Sequence, residues 1–180
     1  MAVRPRGHKA TSSPLDGAAL ERAALRYVER YATTRAKLAA FLTRKLRERG
    51  WDEAGEPPVA ALVERLAGLG YVDDRAFATA RAAALGRRGY GERRVDAALR
   101  AAGIGEEEGA EAREEARRGA WAAALRFAER RRIGPFAAET PDRAGREKAL
   151  AGLLRAGHPI ALAKRLVTAR PGEIPDLDSD

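Results

Sequence analysis

The chain has no cysteine, one methionine and two histidines among its 180 residues. Without thiols it has no disulfide and no thiolate nucleophile. A structural zinc would need ligands other than cysteine, and histidine supplies only two. Long apolar runs are also missing, and no stretch approaches the roughly 20 apolar residues that a membrane-spanning helix requires. The start of the chain carries Arg4, Arg6 and Lys9 but no apolar leader segment. A cytoplasmic location is therefore expected. There is no phosphate-binding GxxxxGK pattern, no glycine-rich dinucleotide loop after a strand, and no serine nucleophile in a recognisable setting. The sequence thus predicts no catalytic residue, no cofactor and no metal site.

What the chain does have is alanine, arginine and charge. Hydrophobic residues make up 45% and charged residues 33%, enough apolar surface to bury cores while keeping a solvated exterior. The net charge is +8, and 29 of the 34 bases are Arg. The last ten residues hold Glu173, Asp176, Asp178 and Asp180 with no base, so the first 170 residues alone carry +12. A field of that sign and size attracts polyanions.

Along the chain the apolar residues recur at helical spacing. Residues 1–13, broken by Pro5 and Gly7, read as a basic arm. Leu15, Asp16 and Leu20 form an N-cap with a hydrophobic staple, and Ala24, Tyr27, Val28 and Tyr31 continue the stripe. Thr33 or Thr34 caps a second helix, with Leu38, Phe41, Leu42 and Leu46 on one face and Gly50 at its end. A third is expected to carry proline in its first turn, to bury Val59, Leu62, Val63, Leu66 and Leu69, and to end at Gly70. Val72, Asp73 and Phe77 then repeat the Leu15–Asp16–Leu20 arrangement. The triplet Leu42, Leu46, Gly50 recurs as Val95, Leu99, Gly103 and as Ala149, Leu153, Gly157, at offsets of 53 and 54 residues. A fixed period with recurring caps and glycines signals tandem repeats. The fold class expected is all-α, three tandem copies of a three-helix unit (14–70, 71–119 and 120–170) in an elongated, curved array, followed by an acidic tail at 171–180. In the third copy Trp121–Arg132, Asp142–Ala156 and Pro159–Ala169 are the helices, the last with Ile160, Ala163, Leu166 and Val167 inward. Gly105–Gly119, with six Glu ahead of or among its bases, has few and small apolar positions and is expected to pack weakly.

The run Gly70-Tyr71-Val72-Asp73-Asp74-Arg75-Ala76-Phe77-Ala78, followed by Arg88-Gly89-Tyr90-Gly91 and by Val95, Leu99, Gly103 and Ile104, resembles the central signature of the RecX family of bacterial recombination regulators. Ala24 to Val28 with Arg30, Thr34 and Arg35 resembles that family's opening repeat, and Ala149, Leu153, Gly157 and His158 its last. The resemblance covers Leu15 to Ala169. It implies a non-enzymatic, monomeric regulator that binds the RecA recombinase in the groove of its DNA filament and mainly inhibits its recombinase, ATPase and coprotease activities, with weak contact to single- or double-stranded DNA. The family signature gives Gly70, Tyr71, Asp73, Asp74, Phe77, Gly89 and Gly103 structural roles. Departures from the pattern are the loop after Gly50, with Pro57 and Pro58, and the acidic stretch after Gly105.

The candidate contacts are outward bases opposite each second helix's apolar stripe: Lys37, Arg44 and Arg47, then Arg93 and Arg100, then Lys148 and Arg155. If the copies follow one another by a regular rotation, such bases line one edge and meet a repeating anionic surface. A second candidate is the turn Gly86–Gly91, where Arg87 and Arg88 precede a helix N-terminus able to receive an anion. The run Arg130–Arg132 is a third, better suited to a solvated helix end. Asp73 and Asp74 fit capping and the helix dipole rather than acid–base chemistry, and Tyr71 is expected to pack. Two rival readings are a stand-alone non-specific DNA- or RNA-binding helical protein and an adaptor whose alanine-rich faces bind a partner helix.

Overall fold

A computed structural model describes residues 13–176; most of the basic arm (1–12) and the end of the acidic tail (177–180) lie outside the described residues. The described chain is all helical: α1 (Gly17–Arg30), α2 (Arg35–Arg49), α3 (Val59–Gly68), α4 (Asp74–Arg87), α5 (Glu92–Ala101), α6 (Glu106–Arg118), α7 (Ala120–Arg131), a 3-10 turn (Gly134–Phe136), α8 (Arg143–Arg155) and α9 (Ile160–Thr168). It is a fold of tandem helical repeats in two compact units, Met1–Asp73 and Asp74–Asp180.

In the first unit Asp16 caps α1, its carboxylate accepting from Ala19 N at 2.6 Å, and Thr34 caps α2, accepting from Lys37 N at 3.2 Å. The loop after Gly50 closes the unit. Leu15 N donates to Gly50 O and Asp52 N to Leu15 O, each at 3.0 Å, joining the entry of α1 to the exit of α2. Leu15, Leu20, Leu38, Leu42 and Leu66 are almost wholly buried together. Three expectations fail at helix ends. Pro58 is the N-cap of α3 rather than part of its first turn. Leu69, the C-cap residue, is 64% exposed, and Tyr71 beyond it is 52% exposed, because both lie past the last turn that the core covers.

The second unit holds two apolar clusters. One joins α4, α5 and α6 around Ala78, Leu85, Val95, Leu99, Ile104 and Ala112. The other joins α7, α8 and α9 around Ala124, Phe127, Leu153, Ala163 and Leu166. The expected weak packing of 105–119 is overturned: α6 forms the most extensive helix pairing in the unit, against α4. Its buried residues are Gly109 and Ala112, facing the alanine-rich α4 with Ala78 and Ala82. Small side chains let two backbones approach closely, so packing here comes from proximity rather than bulk. Arg113 secures the pairing to α5, its Nε 2.8 Å from Asp96 Oδ1 and its Nη1 2.9 Å from Gly105 O. Ile160, expected inward, is 48% exposed because it is the first residue of α9. Asp73 immediately precedes α4, whose first residue, Asp74, is buried.

Five helix ends share one closure. After α3, α4, α5 and α8 the chain turns through Gly70, Gly89, Gly103 and Gly157, each with φ between +70° and +92°. At each end two successive amides bond back into the last turn. Gly103 N reaches Arg100 O at 2.9 Å and Ile104 N reaches Leu99 O at 3.0 Å. This is the Schellman closure, and the left-handed position favours glycine because it has no Cβ to clash. The fifth end, after α7, has the same bonds, Arg132 N to Glu129 O and Ile133 N to Ala128 O. Its left-handed residue is Arg132, at φ +53°, the one positive-φ non-glycine among the described residues.

Candidate anion-binding groove

The site lies within the second unit, where the turn between α4 and α5 meets the exit of α8. Gly91 N donates to Ala156 O at 2.9 Å and Arg93 N to Gly157 O at 3.2 Å. A Cβ on Gly91 would stand 2.4 Å from Gly157 O, and one on Gly157 would stand 2.4 Å from Arg94 N. Gly89 is similarly confined: a Cβ there would stand 2.8 Å from Phe127 N. The Gly89-Tyr90-Gly91 turn is thus a close backbone crossing. That corrects the expectation of an anion-receiving N-terminus at α5, since these amides already serve the carbonyls of α8's end.

His158 completes the joint. It stands one residue after a closing glycine, as Ile104 does after Gly103, and is fully buried. Its Nε2 donates to Gly89 O at 3.1 Å, while Nδ1 is buried with no hydrogen-bond partner. Burial holds its pKa below the usual histidine value, and the bond to the Gly89 carbonyl opposes this only in part.

Beside the joint is a groove of about 830 Å³. Its lining includes Tyr90, Phe127, Ile133, Ala149 and Val167, with Gly134, Gly145 and Gly152. Its charged lining is Arg94, Arg130, Arg131, Arg132, Lys148 and Arg155, with no carboxylate among the lining residues. Arg88 and Arg94 lie over the Tyr90 ring at 5.4 and 5.7 Å, and Arg131 over Phe127 at 5.9 Å. Cation–π attraction of this kind holds a guanidinium near a ring while leaving N–H donors available. Arg130 also donates to the Arg88 carbonyl.

The candidate bases separate into three settings. Lys148 and Arg155 enter this groove. Arg93 and Arg100 sit instead in a cluster with Glu92, Asp96, Glu106, Arg113 and Arg117, and Arg100 Nη1 is 2.6 Å from Asp96 Oδ2. There the field is largely balanced. Lys37, Arg44 and Arg47 are exposed on α2 in the first unit; Arg44 pairs with Glu48 at 3.7 Å and lies over Phe41. Arg87 and Arg88 are exposed. In the repeat register Arg47 matches Arg100 and Arg94 matches Lys148, whereas Arg44 falls on Ala97 and Arg93 on Glu147, so most of these bases are not equivalent positions. Sequence reading missed Arg94 and set Arg130–Arg132 aside as a solvated helix end. The available signal was Arg132, standing where the other closures have glycine.

Fold and site together define a helical-repeat protein with a cationic groove. No family model matches the chain. It is 32% identical over 166 residues to the regulatory protein RecX of Myxococcus xanthus strain DK1622, covering 84% of this chain and 86% of that protein. Its fold is similar to the crystal structure of RecX from Lactobacillus salivarius, at a TM-score of 0.60 and 16% identity over 84% of this chain and 94% of that one. A second RecX crystal structure matches at a TM-score of 0.61 and 22% identity, over 83% and 72% of the two chains. The chain belongs to the RecX family of regulatory proteins. Among its described residues no helix is long and apolar enough to cross a membrane.

Proposed function

We propose that this protein binds the RecA recombinase and its DNA filaments and modulates, mainly inhibits, recombinase, ATPase and coprotease activity, without chemistry of its own. The observation that carries this reading is the 32% identity to a RecX protein over 84% of the chain. Cationic helix faces in both units support it, because a filament presents acidic and phosphate-bearing surface repeatedly and each copy of a repeat can meet one step of it. The three copies at 14–70, 71–119 and 120–170 are the contact modules in this view, acting from a monomer in the cytoplasm.

The test is a titration of RecA's DNA-dependent ATPase with the purified chain. Suppression of ATPase and strand exchange at amounts well below RecA is expected. A folded chain that leaves both unchanged would overturn the reading. Tighter binding to bare single-stranded DNA than to RecA-coated DNA would favour the stand-alone nucleic-acid binder instead.

A further inference from the structure

We infer that the groove between the α4–α5 turn, the end of α7 and α8 is a binding site for the sugar-phosphate backbone of a single nucleic-acid strand, with Arg132 placed at its rim for contact rather than for folding. This does not rest on the recombinase reading, since it concerns the isolated chain and a bare strand.

Two independent observations carry it. The first is composition: six cations converge on one concavity that no carboxylate lines. This contrasts with the neighbouring cluster, where Arg93 and Arg100 share space with Glu92, Asp96 and Glu106. Bases on α6 are neutralised locally: Arg117 and Arg118 each bond a Glu three residues earlier at 2.6 Å. The groove's bases instead have no acidic neighbour among its lining residues, so an anion bound there meets their charge unopposed.

The second observation is backbone conformation. Four of the five equivalent helix closures use glycine at the left-handed position, and the fifth uses Arg132. A branched-chain penalty is absent for arginine, but its Cβ still makes the conformation unfavourable relative to glycine. Local geometry therefore favours glycine there, whereas a groove contact accounts for arginine.

The lining selects a strand over a carboxylate peptide. Five of the six cations are Arg, whose planar forks suit phosphate and carboxylate alike. What favours a strand is that guanidinium groups lie over the rings of Tyr90 and Phe127, and unpaired bases stack on guanidinium planes. A duplex has its bases already paired and cannot use those surfaces.

The experiment is fluorescence anisotropy of a labelled oligo-dT strand with the full chain at fixed low salt. Lys148→Glu combined with Arg155→Glu is expected to weaken binding by about tenfold or more, whereas Arg93→Glu with Arg100→Glu changes it by less than about twofold. Arg132→Gly is the decisive variant: affinity falls by about threefold or more while Tm stays the same or rises. Unchanged affinity in either groove variant, with native circular dichroism, overturns the site. So does equal weakening by the Arg93/Arg100 pair. Displacement of the strand by inorganic tripolyphosphate at matched phosphate concentration identifies free phosphate as the true ligand, and displacement by poly-glutamate at lower concentration than by unlabelled strand identifies an acidic peptide; both overturn the strand assignment.

Discussion

His158 shows how a single residue carries both a packing and a titration role. Its folded pKa is lowered by burial, so the unfolded chain takes up a proton more readily than the folded one. Stability is complete above the unfolded value near 6.5 and falls as pH drops below it toward the folded value. Urea unfolding at pH 7.5 and pH 5 is expected to show this loss in the natural sequence. In His158→Leu the pH-dependent part from this residue disappears, while stability at pH 7.5 drops by about 1–3 kcal/mol because the buried Gly89 carbonyl loses its donor. Glycines at the same scale divide into two kinds. Gly70 has φ +81° but open space around its missing Cβ, so Gly70→Ala should cost about 1–2 kcal/mol, the penalty of the conformation alone. Gly157→Ala adds a 2.4 Å clash with the Arg94 amide and should cost more than about 3 kcal/mol. Denaturant midpoints of the two variants, measured side by side, check the order.

At the scale of elements, α6 depends on closeness. Ala82, buried on α4, belongs to the cluster that α6 joins, and Ala82→Leu should destabilise by about 1–3 kcal/mol through overpacking. Arg113→Ala, which removes the bonds to Asp96 and Gly105, should cost about 1.5–3 kcal/mol. Thermal melts of both variants test whether this helix is held as tightly as its packing implies. The elements themselves were largely legible in the sequence, because caps, glycine stops and apolar spacing act locally: Asp16 and Thr34 cap as their spacing suggests. Ile160 and Leu69 were misjudged because a periodic stripe continues past the point where a neighbouring helix covers it. The tightness of α6 was missed because residue size was read as packing strength, although two small faces meet better than their apolar area suggests. The groove was legible only in part. Lys148 and Arg155 stood out on α8, but Arg94 and Arg130–Arg132 join them through a tertiary crossing that no local pattern encodes.

For the whole molecule, separate cores mean separate sensitivities. Leu42 and Leu153 are fully buried in different clusters, so Leu42→Ala and Leu153→Ala should each cost about 2–5 kcal/mol. Their effects should add to within about 0.5 kcal/mol in the double variant. A larger departure in equilibrium unfolding would mean that the clusters are energetically coupled.

The crossing of Gly91 over Gly157 has one more consequence. The first amides of a helix have no partner within it and normally trade their hydrogens with water quickly. Here those of Gly91 and Arg93 are held by the carbonyls of Ala156 and Gly157. In deuterium the peptide covering residues 88–94 should therefore label slowly for a helix start. Its labelling rate gives a direct clock for how often this joint opens, in the free chain and when a ligand occupies the groove beside it.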